Sequence, residues 1–218
     1  MPSRLRPTAQ VAPDAILVGD PGRALLLAQE LLEQPKMSNH ARGLWGYSGR
    51  TASGGELTIQ ATGMGGPSAA IVVADLAKLG VERAIRVGTC TGLTPDIALG
   101  ELLLVQQAIA TGGSATAFGL LPGATAEPDP QLLAALRSAV DGRQATVASL
   151  DTMATETPTD AVAADLQTVA VLAQARQLGI AAAAILIVAE ADGERLGDEK
   201  LETAARLAGQ GAMKSLSR

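Results

Sequence analysis

The sequence predicts a single three-layer α/β domain over residues 1–218. Short apolar runs alternate with longer segments of helical periodicity, with no long linker between them. Three of the runs lead into glycine-rich segments. Ala15-Ile16-Leu17-Val18 is followed by Gly19-Asp20-Pro21-Gly22-Arg23. Leu57-Thr58-Ile59 is followed by Ala61-Thr62-Gly63-Met64-Gly65-Gly66-Pro67-Ser68, and Ala84-Ile85-Arg86-Val87 by Gly88-Thr89-Cys90-Thr91-Gly92. A fourth run, 182–188, is wholly apolar, the pattern of a strand buried on both faces. A chain of 218 residues is long enough to bury a substantial core.

Taken in order, 15–18 reads as a strand and 23–32 as a helix with apolar positions at helical spacing. Segments 43–50 and 56–60 form an antiparallel pair joined by Ala52-Ser53-Gly54-Gly55. A helix over 68–79 opens at Pro67, whose missing N–H suits a first helical turn. Strands follow at 83–87 and 102–108. Gly112-Gly113-Ser114 and Pro122-Gly123 bound a loop region. Asp129 caps a helix that runs from Pro130 to Val140. A short strand at 145–149 precedes a long helix over 161–178, ended by Gly179. The strand 182–188 and an amphipathic helix over 198–216 complete the chain. No internal repeat is visible.

Hydrophobic residues make up 47% of the chain but aromatic residues only 1%: Trp45, Tyr47 and Phe118. The core is therefore built from Ala, Leu, Val and Ile, and few rings are available to stack on a bound base. The net charge of −5 argues against nucleic acid or an anionic membrane as partner. A small phosphate-bearing substrate stays compatible, since local arginines override net charge. The single cysteine, Cys90, excludes an internal disulfide and a zinc motif. With no signal-like apolar core near the start and no apolar run of membrane-spanning length, a cytoplasmic protein is expected.

Arg86 carries the strongest chemical signal. A strand-borne arginine needs an anion, because an unpaired buried charge is costly. The following small residues let backbone approach that anion, and Thr89 adds a hydroxyl. With Arg23 after the first strand, the pattern points to one phosphate-sized oxyanion site at the carboxyl ends of several strands. Gly63–Ser68 also has the look of a dinucleotide fingerprint. That reading wants an acidic residue at the end of the next strand, where Val87 and Gly88 stand. His40 reads as a surface histidine, and no Ser/His/Asp set exists. Cys90 reads as a small buried thiol rather than a nucleophile.

The segments GDPGR at 19–23, RGLWGYSG at 42–49, TGMGGPSAAI at 62–71 and IRVGTCTG at 85–92 together resemble the nucleoside phosphorylase family, which holds hexameric-type purine nucleoside phosphorylases and uridine phosphorylases. The resemblance is dense in the first half and thins after residue 150. It implies a mixed β-sheet flanked by helices. It further implies a phosphate site made by Gly19, Arg23, Arg42, Arg86 and Thr89, with Arg42 reaching in from a neighbouring subunit of a homo-oligomer, a dimer or trimer of dimers. Met64, Leu166, Gln167 and Cys90 fall on the sugar and base side. No metal or organic cofactor is implied beyond inorganic phosphate as co-substrate.

The second half departs from the family pattern. Where the family carries Glu-Met-Glu, this chain has Asp165-Leu166-Gln167. Phosphorolysis develops positive charge on the sugar, which a carboxylate stabilises better than an amide. Restoring a carboxylate at 167 is therefore expected to raise turnover. Where purine enzymes place Ser-Asp, Ala189-Glu190 stands, and Glu190 is the candidate general acid. The stretch Asp151–Pro158 lacks the Gln-x-Arg pair of uridine phosphorylases and has Met153 and Ala154 where aromatics are expected, and Asp151–Asp165 is several residues shorter than the family shows, so a base-covering lid is reduced. These features favour phosphorolysis of a purine nucleoside to free base and pentose 1-phosphate. A nucleosidase ranks lower, because it does not need the arginines. The other alternative is a catalytically weakened homologue that binds a phosphorylated ligand or acts as an assembly subunit.

Overall fold

The computed structural model describes residues 3–152 and 160–217. Its first strand, β1 (Asp14–Val18), alternates its side chains between two cores, as period 2 requires. Ala15 and Leu17 enter one apolar cluster, Ile16 and Val18 the other. Asp20 then caps α1 (Pro21–Leu31) by accepting the Arg23 N–H at 2.7 Å. An edge strand, β2 (Glu33–Asn39), pairs antiparallel with β3 (Gly46–Arg50), which pairs with β4 (Glu56–Ala61). α2 (Gly66–Lys78) starts with Pro67 in its first turn. β5 (Arg83–Gly92) and β6 (Leu102–Ala110) follow, then the short β7 (Thr125–Ala126).

Asp129 caps α3 (Pro130–Ala139) by accepting two backbone N–H groups, as the sequence predicts. β8 (Arg143–Ser149), β9 (Ala163–Asp165) and α4 (Thr168–Gln177) come next. β10 (Ala181–Ala191), β11 (Glu194–Arg195) and α5 (Asp198–Leu216) end the described chain.

The described strands form one mixed sheet. β1 lies parallel to β4 and β5, and β5 parallel to β10. β10 pairs with β6 antiparallel, β6 with β8 parallel, β8 with β9 parallel, and β9 returns to β5 antiparallel. That half of the sheet closes on itself, while β1, β4, β3 and β2 extend it as an open wing. α2 and α4 cover one face, α1, α3 and α5 the other. Fully buried Leu17, Ile16, Ile85, Leu103 and Leu186 anchor the two cores. Each such side chain contributes about 1.5–3 kcal/mol through burial.

Two elements differ from the sequence expectation in ways that shape the site. The expected strand 83–87 runs on to Gly92, because β10 pairs it through Thr91 and β9 pairs Thr91 and Gly92 on the other side. The small residues 88–92 are strand, not loop. The expected helix over 161–178 splits into β9, a short turn and α4. Alanine-rich 163–165 favours helix locally, but its backbone groups pair with β5 and β8. The strand expected over 43–50 starts at Gly46, after a 3₁₀ turn at Ala41–Gly43. β2 carries no alternating pattern, five of its seven residues being exposed, and was invisible to periodicity. A 3₁₀ helix, Gly113–Phe118, sits in the region read as loop.

Candidate active site

The carboxyl ends of β1, β4, β5 and β10 point the same way, since these strands are mutually parallel. Their ends, with β9 and the start of α5, enclose a cavity of about 620 Å³. Nine of the ten residues singled out from sequence line it: Gly19, Arg23, Met64, Arg86, Thr89, Cys90, Leu166, Gln167 and Glu190. The tenth, Arg42, does not. It is exposed, in a left-handed conformation (φ 62°), and lines a separate cavity of about 740 Å³ that shares Met64, Gly65 and Leu166 with the first.

Arg86 is 4% exposed. Its Nη2 lies 2.8 Å from Asp165 Oδ2, its Nη1 2.8 Å from Gln167 Oε1 and its Nε 3.2 Å from Thr168 Oγ1. The negative charge that a buried strand arginine needs is thus present within the chain. Asp165, on the neighbouring strand, already balances its charge. Gly88 makes the arrangement possible. A Cβ there would stand 2.5 Å from the Arg86 guanidinium carbon, so the glycine gives the side chain room to fold back along its own strand. Asp165 in turn accepts from Ser149 Oγ (2.5 Å), Thr168 Oγ1 (2.7 Å) and the N–H groups of Gln167 and Thr168 (3.1 and 3.0 Å). A buried carboxylate with this many donors is fully satisfied.

Arg23 is different. Its guanidinium makes no hydrogen bond or ion pair with the described residues. Burial pushes its pKa down from the ordinary value, Asp20 opposes that, and the neighbouring Arg86 adds to it. Arginine nevertheless stays charged in proteins, so Arg23 presents unused donors to the cavity next to a second guanidinium. Thr89, half-buried, faces the same space from β5.

On the other side, Met64 is 84% exposed between Gly63 and Gly65, both with positive φ, which excludes a role in core packing. Gln167 is buried, and its amide is engaged with Arg86, Thr62 and the carbonyls of Gly63 and Gly65. Glu190, two residues beyond the strand expected over 182–188, lies within β10 just after a bulge. It is half-exposed, with Thr91 Oγ1 at 3.4 Å and Arg195 Nε at 3.4 Å. Burial pushes the Cys90 thiol well above its ordinary pKa, with Asp165 adding and Arg86 opposing, and its Sγ lies 3.6 Å from Ile187 O. It is a neutral lining group. His40 is exposed.

Sequence reasoning missed Asp165 as the partner of Arg86, together with Ser149, Thr168 and Arg195. No local signal marks them, because they meet through the β5–β9, β8–β9 and β10–β11 pairings. The stretch 151–165, read as a shortened lid, includes 153–159, which lie outside the described residues. Among the described residues, no group of three or more His, Cys, Asp or Glu could hold a metal ion, and no helix is long and apolar enough to cross a membrane.

The model of the phosphorylase superfamily matches residues 13–216. The chain belongs to the phosphorylase superfamily. It is similar to DeoD-type purine nucleoside phosphorylases. That of Oceanobacillus iheyensis is 41% identical over 100 residues, covering 45% of this chain and 42% of the relative. That of Clostridium perfringens is 42% identical over 99 residues, covering 45% and 42%. That of Caldanaerobacter subterraneus is 40% identical over 99 residues, with the same coverage. The chain thus matches less than half the length of these curated relatives. The mixed sheet flanked by helices is the fold that the superfamily resemblance leads one to expect.

Proposed function

We propose that this phosphorylase-superfamily chain, working as one domain, catalyses phosphorolysis of a purine nucleoside. The observation that carries the reading is the Arg23 guanidinium, which makes no hydrogen bond or ion pair among the described residues, beside Arg86 in a cavity roomy enough for a nucleoside and an anion together. The names of the similar proteins support the same chemistry. Arg23, the remaining N–H groups of Arg86, Thr89 and the Gly19 backbone hold inorganic phosphate, and Arg42 of a second copy completes the cage. A phosphate oxygen forms a bond to the sugar's anomeric carbon as the carbon–nitrogen bond to the base breaks. The electron pair of that bond leaves on the base nitrogen, and Glu190 supplies the proton. The products are free base and pentose 1-phosphate. Met64 and Leu166 flank the sugar. No cofactor takes part.

The test is release of base from inosine, adenosine and uridine with and without inorganic phosphate. Phosphate-dependent release from a purine nucleoside is expected, and release independent of phosphate overturns the reading. Arg23→Ala should weaken phosphate binding by about 10–100-fold, the scale of one charge-assisted contact. Mixing Arg23→Ala with Arg42→Ala should restore part of the activity through sites built from one intact half of each.

A further inference from the structure

Gln167 is 3% exposed, yet its side chain spans the two halves of the cavity. On one side Oε1 accepts from Arg86 Nη1 at 2.8 Å and sits 3.1 Å from Thr62 Oγ1. On the other side Nε2 donates to Gly63 O at 2.7 Å and to Gly65 O at 3.3 Å. Both amide hydrogens meet carbonyl oxygens, and the amide oxygen accepts from the guanidinium. The orientation is chemically forced. Turning the amide over would set its NH₂ against a guanidinium and its oxygen against two carbonyls.

We propose that Gln167 is a positioning residue, whose amide ties the anion-facing Arg86 to the glycine segment that carries Met64, while Asp165 supplies the negative charge that Arg86 requires. The segment needs such a tie. Gly63 and Gly65 both hold positive φ, a conformation that glycine populates as one of many, so the loop has little intrinsic preference for its observed shape. A carboxylate at 167 cannot do this work. It would face the carbonyls of Gly63 and Gly65 with no hydrogen to donate, and it would add a second negative charge beside an arginine that Asp165 already neutralises at 2.8 Å. The charged groups facing position 167 are Arg86 from β5 and Asp165 from β9. The sequence expectation is thereby reversed: Gln167→Glu lowers performance rather than restoring it.

The anion arm of the test rests on the phosphorolysis reading, whereas the loop arm does not. Three variants are compared with the native chain: Gln167→Glu, Gln167→Met, and Gln167→Glu combined with Asp165→Asn. Deuterium uptake is followed in peptides covering 61–69 and 181–191, and inorganic phosphate binding by calorimetry. Both single variants should take up deuterium faster in 61–69 and not in 181–191. Gln167→Glu should bind phosphate about tenfold or more weaker, since a full charge is added within a few ångströms of the anion. The double variant returns the charge count to the native value. It should recover phosphate binding to within about threefold of native while 61–69 stays loose, because the two carbonyls still lack a donor. Unchanged uptake in 61–69 for Gln167→Glu, or phosphate bound as tightly as by the native chain, overturns the inference. A native chain that binds no phosphate counts against phosphorolysis, and the exchange data alone then decide the role of Gln167. A double variant that does not fold leaves the two single variants to decide it.

Discussion

Arg86 and Asp165 form an ion pair of 2.8 Å, with side chains 5% and 0% exposed, between a strand and the strand antiparallel to it. The pair sits at the floor of the cavity and converts a strand arginine that invites an external anion into one already balanced from within. Breaking such a pair from one side leaves an uncompensated buried charge. Asp165→Ala should therefore cost about 3–5 kcal/mol of stability, more than loss of the same carboxylate at the surface. Urea unfolding measures it directly, and a loss under 1 kcal/mol, the range of an exposed pair, would refute the assignment.

Gly88→Ala probes the same arginine from its other side. The added methyl would lie 2.5 Å from both Cζ and Nη2 of Arg86 and 2.8 Å from Leu186 Cδ2. Overpacking of this kind costs about 1–3 kcal/mol. Since the guanidinium is the part that must move, phosphate affinity should fall together with the melting temperature.

Asp75 links α2 to the amino-terminal segment by accepting the N–H groups of Arg4 and Leu5, the latter at 3.0 Å. Burial alone would raise its pKa, but those N–H groups and the Lys78 ammonium outweigh burial and hold the carboxyl below its ordinary value. A folded-state pKa below the unfolded one stabilises the native state at neutral pH. That stabilisation fades as pH falls through the ordinary aspartate value near 3.8 and on to the lower folded value. Asp75→Asn should lower stability at pH 7 and flatten the acid limb of a stability-versus-pH curve. Identical slopes for the two proteins below pH 4 would count against it.

Cys90 is the single thiol of the chain, 5% exposed, with a pKa driven upward mainly by burial. At pH 8 it is neutral, so a thiolate-selective reagent should leave it unmodified over hours in the folded protein and label it within minutes in denaturant. Cys90→Ser should retain activity within about threefold, since a lining group that donates no charge contributes little beyond packing. Rapid labelling of the folded chain would place the thiolate in the chemistry instead.

The segments legible from sequence were those whose signal is local. The alternation in 15–18 and the apolar run at 182–188 report strands, because period 2 and burial on both faces are properties of a few consecutive residues. Asp20 and Asp129 report helix starts, because a cap acts over three residues. The reading failed at 88–92 and 161–167. In both places small residues leave local preference weak, and pairing with distant strands decides the outcome. Arg42, expected to act from a neighbouring copy, lies outside the cavity that Arg23 and Arg86 share in its own chain.

By itself, then, the sequence determined the α/β class, the family, and the set of residues that gather at the carboxyl ends of the parallel strands. It could do so because strand ends and the glycine segments after them are contiguous in the chain. Which charges are already spent was decided only by the tertiary structure. Arg86 is committed to Asp165 across 79 positions, Gln167 to Gly63 across 104, and the Arg23 guanidinium donors find no acceptor among the described residues. The reason is physical. An ion pair or a buried amide is satisfied by whatever group lies within about 3 Å of it, and nearness across the sheet depends on strand order and register, which no local stretch of sequence encodes.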